Sequence, residues 1–489
     1  MNCTEPDYPR ILGCWLGKAI GGTLGAPYEG SYGPHRLTFY NPVPTTMLPN
    51  DDLDLQVLWA CRLATDWHGV VSRANFADAW LHNIEFPFDE YGVTIRNLRM
   101  GIPAPYCGSY DNFFVDGEGA AIRSEIWAVL APRDPHRAAQ IARIDGSLDH
   151  DGNGLDTICF LAALESAAFG GSDDVRALIH TALAEIPAGG RLAAAIRATV
   201  KWVEAGLSHE ELRRRILTDF GSANFTDVCM DTAFIVAALL LGKGDFSETV
   251  CAAVNFGQDA DCTGATAGAI MGIIHPERIP EKWLAPIGRN LVLSKEITGI
   301  TPPADLDAFT GMLLQLRDKL IIDDSVPPPP DWSKYAIGVR KCTFSPWFAA
   351  DCTKFNPQFT GEGTVETAAL PGNLFEADFS ALPSDSLLLH EVQFKLESSR
   401  KVRLVLNTPA ISRVWLDGAY LFGRDGGSMV PAFHRPQLNQ YADLELSGGV
   451  HTLRFGLAPT DFNMQKVPVL FGLAGTDNQW LPGCFLPPV

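Results

Sequence analysis

The sequence predicts two domains of different class, an all-helical bundle followed by an all-β sandwich, and three observations carry that reading. From about Pro9 to Lys319 apolar residues recur at helical spacing in a stretch rich in Ala, Leu and Gly. The run Val326-Pro-Pro-Pro-Pro-Asp331 cannot continue a helix and favours stiff polyproline II geometry, as between domains. Beyond it the segments are short, β-branched or alternating, with Gly, Asp, Ser and Pro clusters between them. The expected boundaries are 1–325 for the helical domain, 326–340 for a linker and 341–489 for the sandwich. Each side has its own apolar pattern and is expected to fold independently.

In chain order, helices are expected over Ile11 to Leu24, Leu53 to Thr65, Asp156 to Phe169, Val175 to Glu185, Leu192 to Glu204, Thr226 to Leu241 and Leu306 to Leu320. Thr157 to Phe169 and Ala233 to Leu241 are apolar nearly all round, as at the centre of a large bundle, so function must sit at helix ends and loops. Strands are expected over Leu387 to Leu396, Val402 to Asn407, Ser412 to Leu416, Leu444 to Leu446 and Val450 to Leu457.

The 489 residues suit two or three domains, and 46% hydrophobic with 19% charged residues excludes global disorder. A net charge of −19 repels phosphate backbones and anionic lipid, which disfavours nucleic-acid and membrane-surface partners. Met1 to Arg10 lacks a basic segment followed by an apolar one, and no apolar run is long enough to span a membrane, so a cytoplasmic location is expected. The 11 cysteines are scattered and odd in number, which argues against a disulfide framework or zinc ribbon and for reduced core thiols.

Two acidic clusters stand out. Asn50-Asp51-Asp52 opens the apolar run from Leu53, and Asp259-Ala260-Asp261-Cys262-Thr263 opens a small-residue helix, Gly264 to Ile274. Helix capping and dipole complementation explain either cluster by itself. Together they would repel if they converged without a cation, and hard oxygen donors suit Mg²⁺ or Mn²⁺; spacing alone does not show convergence.

These clusters, with Gly21-Gly-Thr-Leu-Gly-Ala-Pro-Tyr-Glu29, Asp149-His150-Asp151-Gly152, Gly257-Gln258 before Asp259, Ile279-Pro280 and Trp283, are similar in order to the motifs of the ADP-ribosylglycohydrolase family. That family includes the dinitrogenase-reductase-activating glycohydrolases and the ADP-ribosyl-acceptor hydrolases. The resemblance covers roughly residues 8 to 320. It implies an orthogonal helical bundle with a dinuclear Mg²⁺ or Mn²⁺ centre, whose ligands would be Asp51, Asp52, Asp259 and Asp261. The sequence departs from the pattern twice: Asn50 stands for the usual Thr before the first pair, and Cys262 for the Thr after the second, with Thr263 one place later. Asn50 still offers an amide oxygen, whereas a thiol poorly replaces a hydroxyl toward a hard ion, so Thr263 joins the expected ligand set. Gly117-Glu-Gly-Ala-Ala-Ile-Arg-Ser-Glu-Ile-Trp127 looks closer to a bacterial branch of the family than to its ADP-ribose-specific members.

Hydrolysis at an anomeric carbon passes through an oxocarbenium-like state that carboxylates assist, and Glu29, after a Gly-rich turn, is the candidate acid/base alongside Asp261. The bland account of Glu29 is a solvated loop carboxylate. His150, Asp151 and Gly152 form a turn-like patch that the family places near the bound sugar. Arg123 is a candidate for a phosphate or carboxylate of the substrate; an internal salt bridge to Glu118 or Glu125 serves equally. Close helix crossing is the preferred account of Gly264, Gly268 and Gly272.

The C-terminal Trp415-Leu-Asp-Gly418, Tyr420-Leu-Phe422 and Leu444 to Leu453 look similar to jelly-roll modules attached to carbohydrate-active enzymes. Trp347, Trp415 and Tyr420 are candidates for stacking on sugar, with core packing as the default. The function expected is a divalent-metal-dependent glycohydrolase cleaving an N- or O-glycosidic bond to ribose or a ribose-like sugar, foremost a small-molecule or protein-borne ADP-ribosyl compound. The alternatives are a carbohydrate-processing glycosidase on the same scaffold, favoured by the β-domain, and a catalytically silent ADP-ribose or sugar binder.

Overall fold

In the computed structural model, which describes residues 5–345, 359, 365–433, 441–461 and 463–488, the first long helix runs Tyr8–Gly25 and packs along the helix Ala260–Ile274. Gly13, Gly17 and Gly21 face Gly272, Gly268 and Gly264, and a Cβ on any of them would collide with the opposing backbone. Small residues on both faces therefore bring two backbones together, which is the close crossing expected for the second glycine set.

Around this pair stand Asp51–Ala64, Gly152–Ala168, Val175–Ala182, Arg191–Glu204, Val228–Gly242 and Leu306–Leu316, where apolar periodicity predicts them. Val228–Gly242 is buried along nearly its whole length, so its all-round apolar character marks a central position. One short parallel pair, Val70–Ser72 with Ile321–Asp323, interrupts the helical pattern; three residues a side are too few to show a period.

By contacts the chain divides into two units, Met1–Glu85 with Phe114–Pro327, and Phe86–Phe113 with Pro328–Val489. Among the described residues the second unit contains antiparallel sheets of six and four strands. The six-stranded order is Glu366–Leu370, Ile337–Phe344, Leu387–Leu396, Gly449–Ala458, Ile411–Leu416 and Ala419–Asp425. The four-stranded order is Tyr441–Leu446, Arg400–Asn407, Lys466–Ala474 and Leu374–Asp378. Val392, Phe394 and Phe455 from one sheet share a core with Leu404, Leu406 and Phe471 from the other, which makes the pair a sandwich. The first strand begins at Ile337, inside the stretch the sequence assigns to the linker.

Alternation explains why Phe86–Phe113 groups with the sandwich. Leu404 and Leu406 face the inter-sheet core, so Val405 points the other way, into a cluster with Val93, Leu470 and Trp480. The Arg96 guanidinium lies over the Trp480 ring at 4.7 Å, and Asp111 accepts hydrogen bonds from the backbone N–H groups of Asn373 (2.7 Å) and Leu374 (3.1 Å). A helical segment thus covers the outer face of a sheet far along the chain, which composition along the sequence does not reveal. Trp415 is fully buried with Tyr420 edge-on against it, so core packing accounts for it and it has no face to offer a sugar; Trp347 lies outside the described residues.

Candidate active site

Asn50 takes an extended conformation and its Oδ1 accepts the Asp52 N–H at 2.8 Å, so the Asp51–Ala64 helix starts with three carboxylates, Asp51, Asp52 and Asp54, in its first turn. The helix is buried almost throughout, and Asp52, Asp54 and Gln56 are buried with Leu53 and Leu55. Lys18, from the otherwise apolar Tyr8–Gly25 helix, donates to Asp52 Oδ1 (3.4 Å) and Glu125 Oε1 (2.7 Å). Burial works against the lysine's charge, but Glu125 and Asp52 overcome it and hold the ammonium above its ordinary range.

The second helix start is built by a turn. Gly257 and Gln258 both have positive φ, and a Cβ on Gly257 would meet the Tyr32 carbonyl oxygen at 2.6 Å. The Gly30 N–H donates to the Gln258 carbonyl (2.9 Å) and the Gln258 N–H to the Ser31 carbonyl (2.8 Å). That bridge carries the exposed Glu29 to the side of Asp259, whose carboxyl is pushed up by burial first and by Glu29 second.

The two starts converge. One ligand atom each from Asp52, Asp261 and Cys262 lie within 4.8 Å of one another, and all three residues are buried. Asn50 Nδ2 reaches Asp261 Oδ2 at 3.4 Å. Burial first, and neighbouring carboxylates second, push up Asp51 (next to Asp52) and Asp261 (next to Asp259 and Glu29); Asp52 is raised by burial against the opposing pull of Lys18. Asp52 Oδ2 and Asp261 Oδ1 are buried without a hydrogen-bond partner among the described residues. Adjacent buried carboxylates with orphaned oxygens are the donor set a divalent cation satisfies, and so this cluster fits the metal that the motifs imply.

Three expected residues sit otherwise. Thr263 Oγ1 donates to its own helix, to the Asp259 carbonyl at 2.9 Å, so the hydroxyl expected as a ligand is turned to the backbone while Cys262 faces Asp52. The amide oxygen of Asn50, expected to reach the cation, caps the helix and leaves the amide NH₂ toward Asp261. Arg123 is fully buried and pairs with Asp145 (3.0 Å) and Asp149 (2.9 Å to Oδ2), with Trp127 Nε1 also donating to Asp145. Its partners include these aspartates and the Gly119 carbonyl, and with no exposed surface the guanidinium is held in an internal network rather than presented to a substrate. His150 Nδ1 joins the same network, 3.2 Å from Asp149. Asp151 is exposed and accepts the N–H of Gly152, itself at positive φ, as the cap of Gly152–Ala168.

Three groups near the cluster escape the motif reading. Asp231, fully buried on Val228–Gly242, has neither oxygen hydrogen-bonded, and burial followed by Glu118 and Asp259 raises it. Glu118 follows the Phe114–Gly117 turn, and Asp116 in that turn accepts from Asn153 Nδ2 at 3.3 Å. Lys18 is the third. The available signal was a lone charge within an apolar helical run, at both Lys18 and Asp231.

The model of the family described as ADP-ribosylglycohydrolase matches residues 4–318, most of the chain. The chain belongs to the ADP-ribosylglycohydrolase family. Membership makes it a hydrolase of glycosidic bonds, in a family that acts on ADP-ribosylated substrates and typically depends on a divalent metal. Among solved structures, an ADP-ribosylglycohydrolase-related protein complex is 22% identical with a TM-score of 0.45, covering 64% of this chain and 99% of that one. A β-glucosidase from Kluyveromyces marxianus in complex with glucose is 8% identical with a TM-score of 0.22, over 34% of this chain and 21% of that one. The GH31 α-xylosidase from Xanthomonas citri is 12% identical with a TM-score of 0.17, over 31% of this chain and 16% of that one. No curated protein gives a significant match. Among the described residues no helix is long and apolar enough to cross a membrane.

Proposed function

We propose that the helical unit is a divalent-metal-dependent glycohydrolase acting on the anomeric bond of a ribosyl group, with ADP-ribosyl compounds as the substrate class. The observation that carries this is the convergence of Asp52 and Asp261, buried with orphaned oxygens, beside Asp51, Asp259 and the exposed Glu29. Those aspartates would hold one divalent cation or two through their carboxylate oxygens. Bound there, it supplies Lewis acidity and a fixed orientation for sugar hydroxyls.

The chain's own residues do the rest. Lys18, itself held by Glu125, donates to Asp52, and the Asn50 amide donates to Asp261. Glu29 is exposed at the edge of the cluster, where its carboxylate can move a proton between water and the leaving group. Negative charge gathered around the anomeric carbon favours an oxocarbenium-like state.

The experiment pairs metal content with turnover of ADP-ribosyl-arginine, ADP-ribosyl-serine, nucleosides and nitrophenyl furanosides, with and without EDTA. The expected result is bound metal and EDTA-sensitive cleavage of an ADP-ribosyl bond. Cleavage that ignores EDTA overturns the reading. Commitment of the Asn50 oxygen to the helix cap favours a second reading, a silent binder, which metal-dependent binding of ADP-ribose without turnover of any substrate would establish.

A further inference from the structure

Residue 262 follows Asp259 by three positions, one turn of the helix, so its side chain rises on the carboxylate's own face. Residue 263 is rotated about 100° further and back-bonds to the Asp259 carbonyl. The chain therefore presents a sulfur, and not a hydroxyl, to the cluster. Cys262 is buried together with Asp52 and Asp259. The Sγ and one oxygen each of Asp52 and Asp261 lie within 4.8 Å of one another, so side-chain rotation alone would bring the three to one ion at metal–oxygen and metal–sulfur bonds of roughly 2.0–2.3 Å. The orphaned Asp52 Oδ2 and Asp261 Oδ1, both buried, mark the same place independently.

We propose that Cys262 is a thiolate ligand of the divalent site and that this chain is thereby tuned to a borderline ion, Zn²⁺ or Co²⁺, over the harder Mn²⁺ and Mg²⁺. Thiolate donors favour borderline and soft ions, whereas carboxylate and hydroxyl donors serve the hard ones equally well. The inference rests on the reading of the aspartates as a metal site, and adds to it the identity of one ligand and the class of ion.

The test uses the full-length protein freed of metal by chelation. Titration with Co²⁺ should bring up a near-ultraviolet thiolate-to-cobalt charge-transfer band. Cys262→Thr should lose that band, and its preference for Zn²⁺ over Mn²⁺, read by elemental analysis after competitive dialysis, should fall by about tenfold or more. Cys262→Ser, which keeps the side-chain shape, repeats the comparison should the Thr variant fail to fold by circular dichroism. Cobalt bound without the band, or an unchanged ratio in the folded variant, overturns the thiolate ligand and leaves the aspartate site standing. No divalent ion bound by parent or variants overturns both.

Discussion

Gly17 and Gly268 meet backbone to backbone, each at the point where a Cβ on the other would strike its carbonyl. The contact holds the Tyr8–Gly25 helix against the helix whose first turn carries Asp261, so it sets the spacing of the site as well as of the core. Gly268→Ala should destabilise by about 1–3 kcal/mol or more, because neither backbone can yield alone. Gly311→Ala is the control: its Cβ meets nothing within 4 Å on an exposed helix face, so the substitution should be neutral or stabilising. Urea unfolding of the two variants checks this, and equal effects would refute the claim that the crossing requires glycine.

Arg123 bridges the buried Asp145 and Asp149, and His150 also lies against Asp149. Arg123→Met leaves two buried carboxylates without it, and breaking a buried pair from one side costs ~3–5 kcal/mol. Arg123→Lys keeps the charge but lacks the fork that spans both aspartates, so it should lose stability too. A loss below ~1 kcal/mol, the scale of a surface pair, would show the network to be dispensable.

The same network sets a pH dependence. Burial, with Arg123 opposing it, raises Asp145 from 3.8 to about 6. The folded protein then keeps a proton that the unfolded chain releases, so stability falls as pH rises from 3.8 to about 6. Asp149 behaves oppositely: burial would raise it, but Arg123 and then His150 hold it at about 2, so its contribution is present above 3.8 and is lost as pH falls through about 2. In the Asp145→Asn variant the first slope should vanish, and the advantage of the parent over the variant should shrink by roughly 2–3 kcal/mol between about pH 4 and pH 7. Denaturant melts across that range decide it; a constant difference would mean that Asp145 does not titrate there.

Glu29→Gln keeps the volume of the side chain and removes its exchangeable proton. Turnover should fall by ~10²–10⁴-fold with substrate affinity retained. Asp259→Asn, inside the cluster, should weaken binding as well. Single-turnover kinetics and calorimetry separate the two effects, and unchanged kcat in Glu29→Gln would remove it from the mechanism.

Truncation after Ser325 strips Val93, Arg96 and Asp111 of the partners they have in the second unit, among them Val405, Trp480 and the Asn373 N–H. A 1–325 fragment should therefore bind a hydrophobic dye and self-associate on size-exclusion chromatography. A monodisperse fragment with a cooperative melt would show that Phe86–Phe113 does not need the sandwich.

The sequence by itself determined the class of each half, the helices around Asp51 and Asp261, and the family motifs, because periodicity and helix-start chemistry are local and each is complete within a few turns. Convergence was not local. That Asp52 meets Asp261 follows from the glycine-lined crossing that sets the Tyr8–Gly25 helix, whose Lys18 holds Asp52, against the Asp261 helix more than 200 residues away in the chain, and the positive-φ turn at Gly257-Gln258 aims the latter. Helical phase turned Thr263 to its own backbone and Cys262 to the cluster, a difference of one position that composition does not register. Arg123 and Lys18 look alike in sequence, each a basic residue in an apolar stretch, yet one is enclosed by Asp145 and Asp149 and the other lies beneath Asp52. Which buried charge neutralises which is settled only when the chain closes, since burial makes each charge costly until a particular partner arrives. For Phe86–Phe113 the deciding partner is the outer face of a sheet formed some 300 residues later, and only the tertiary structure brings that face and Val93 together.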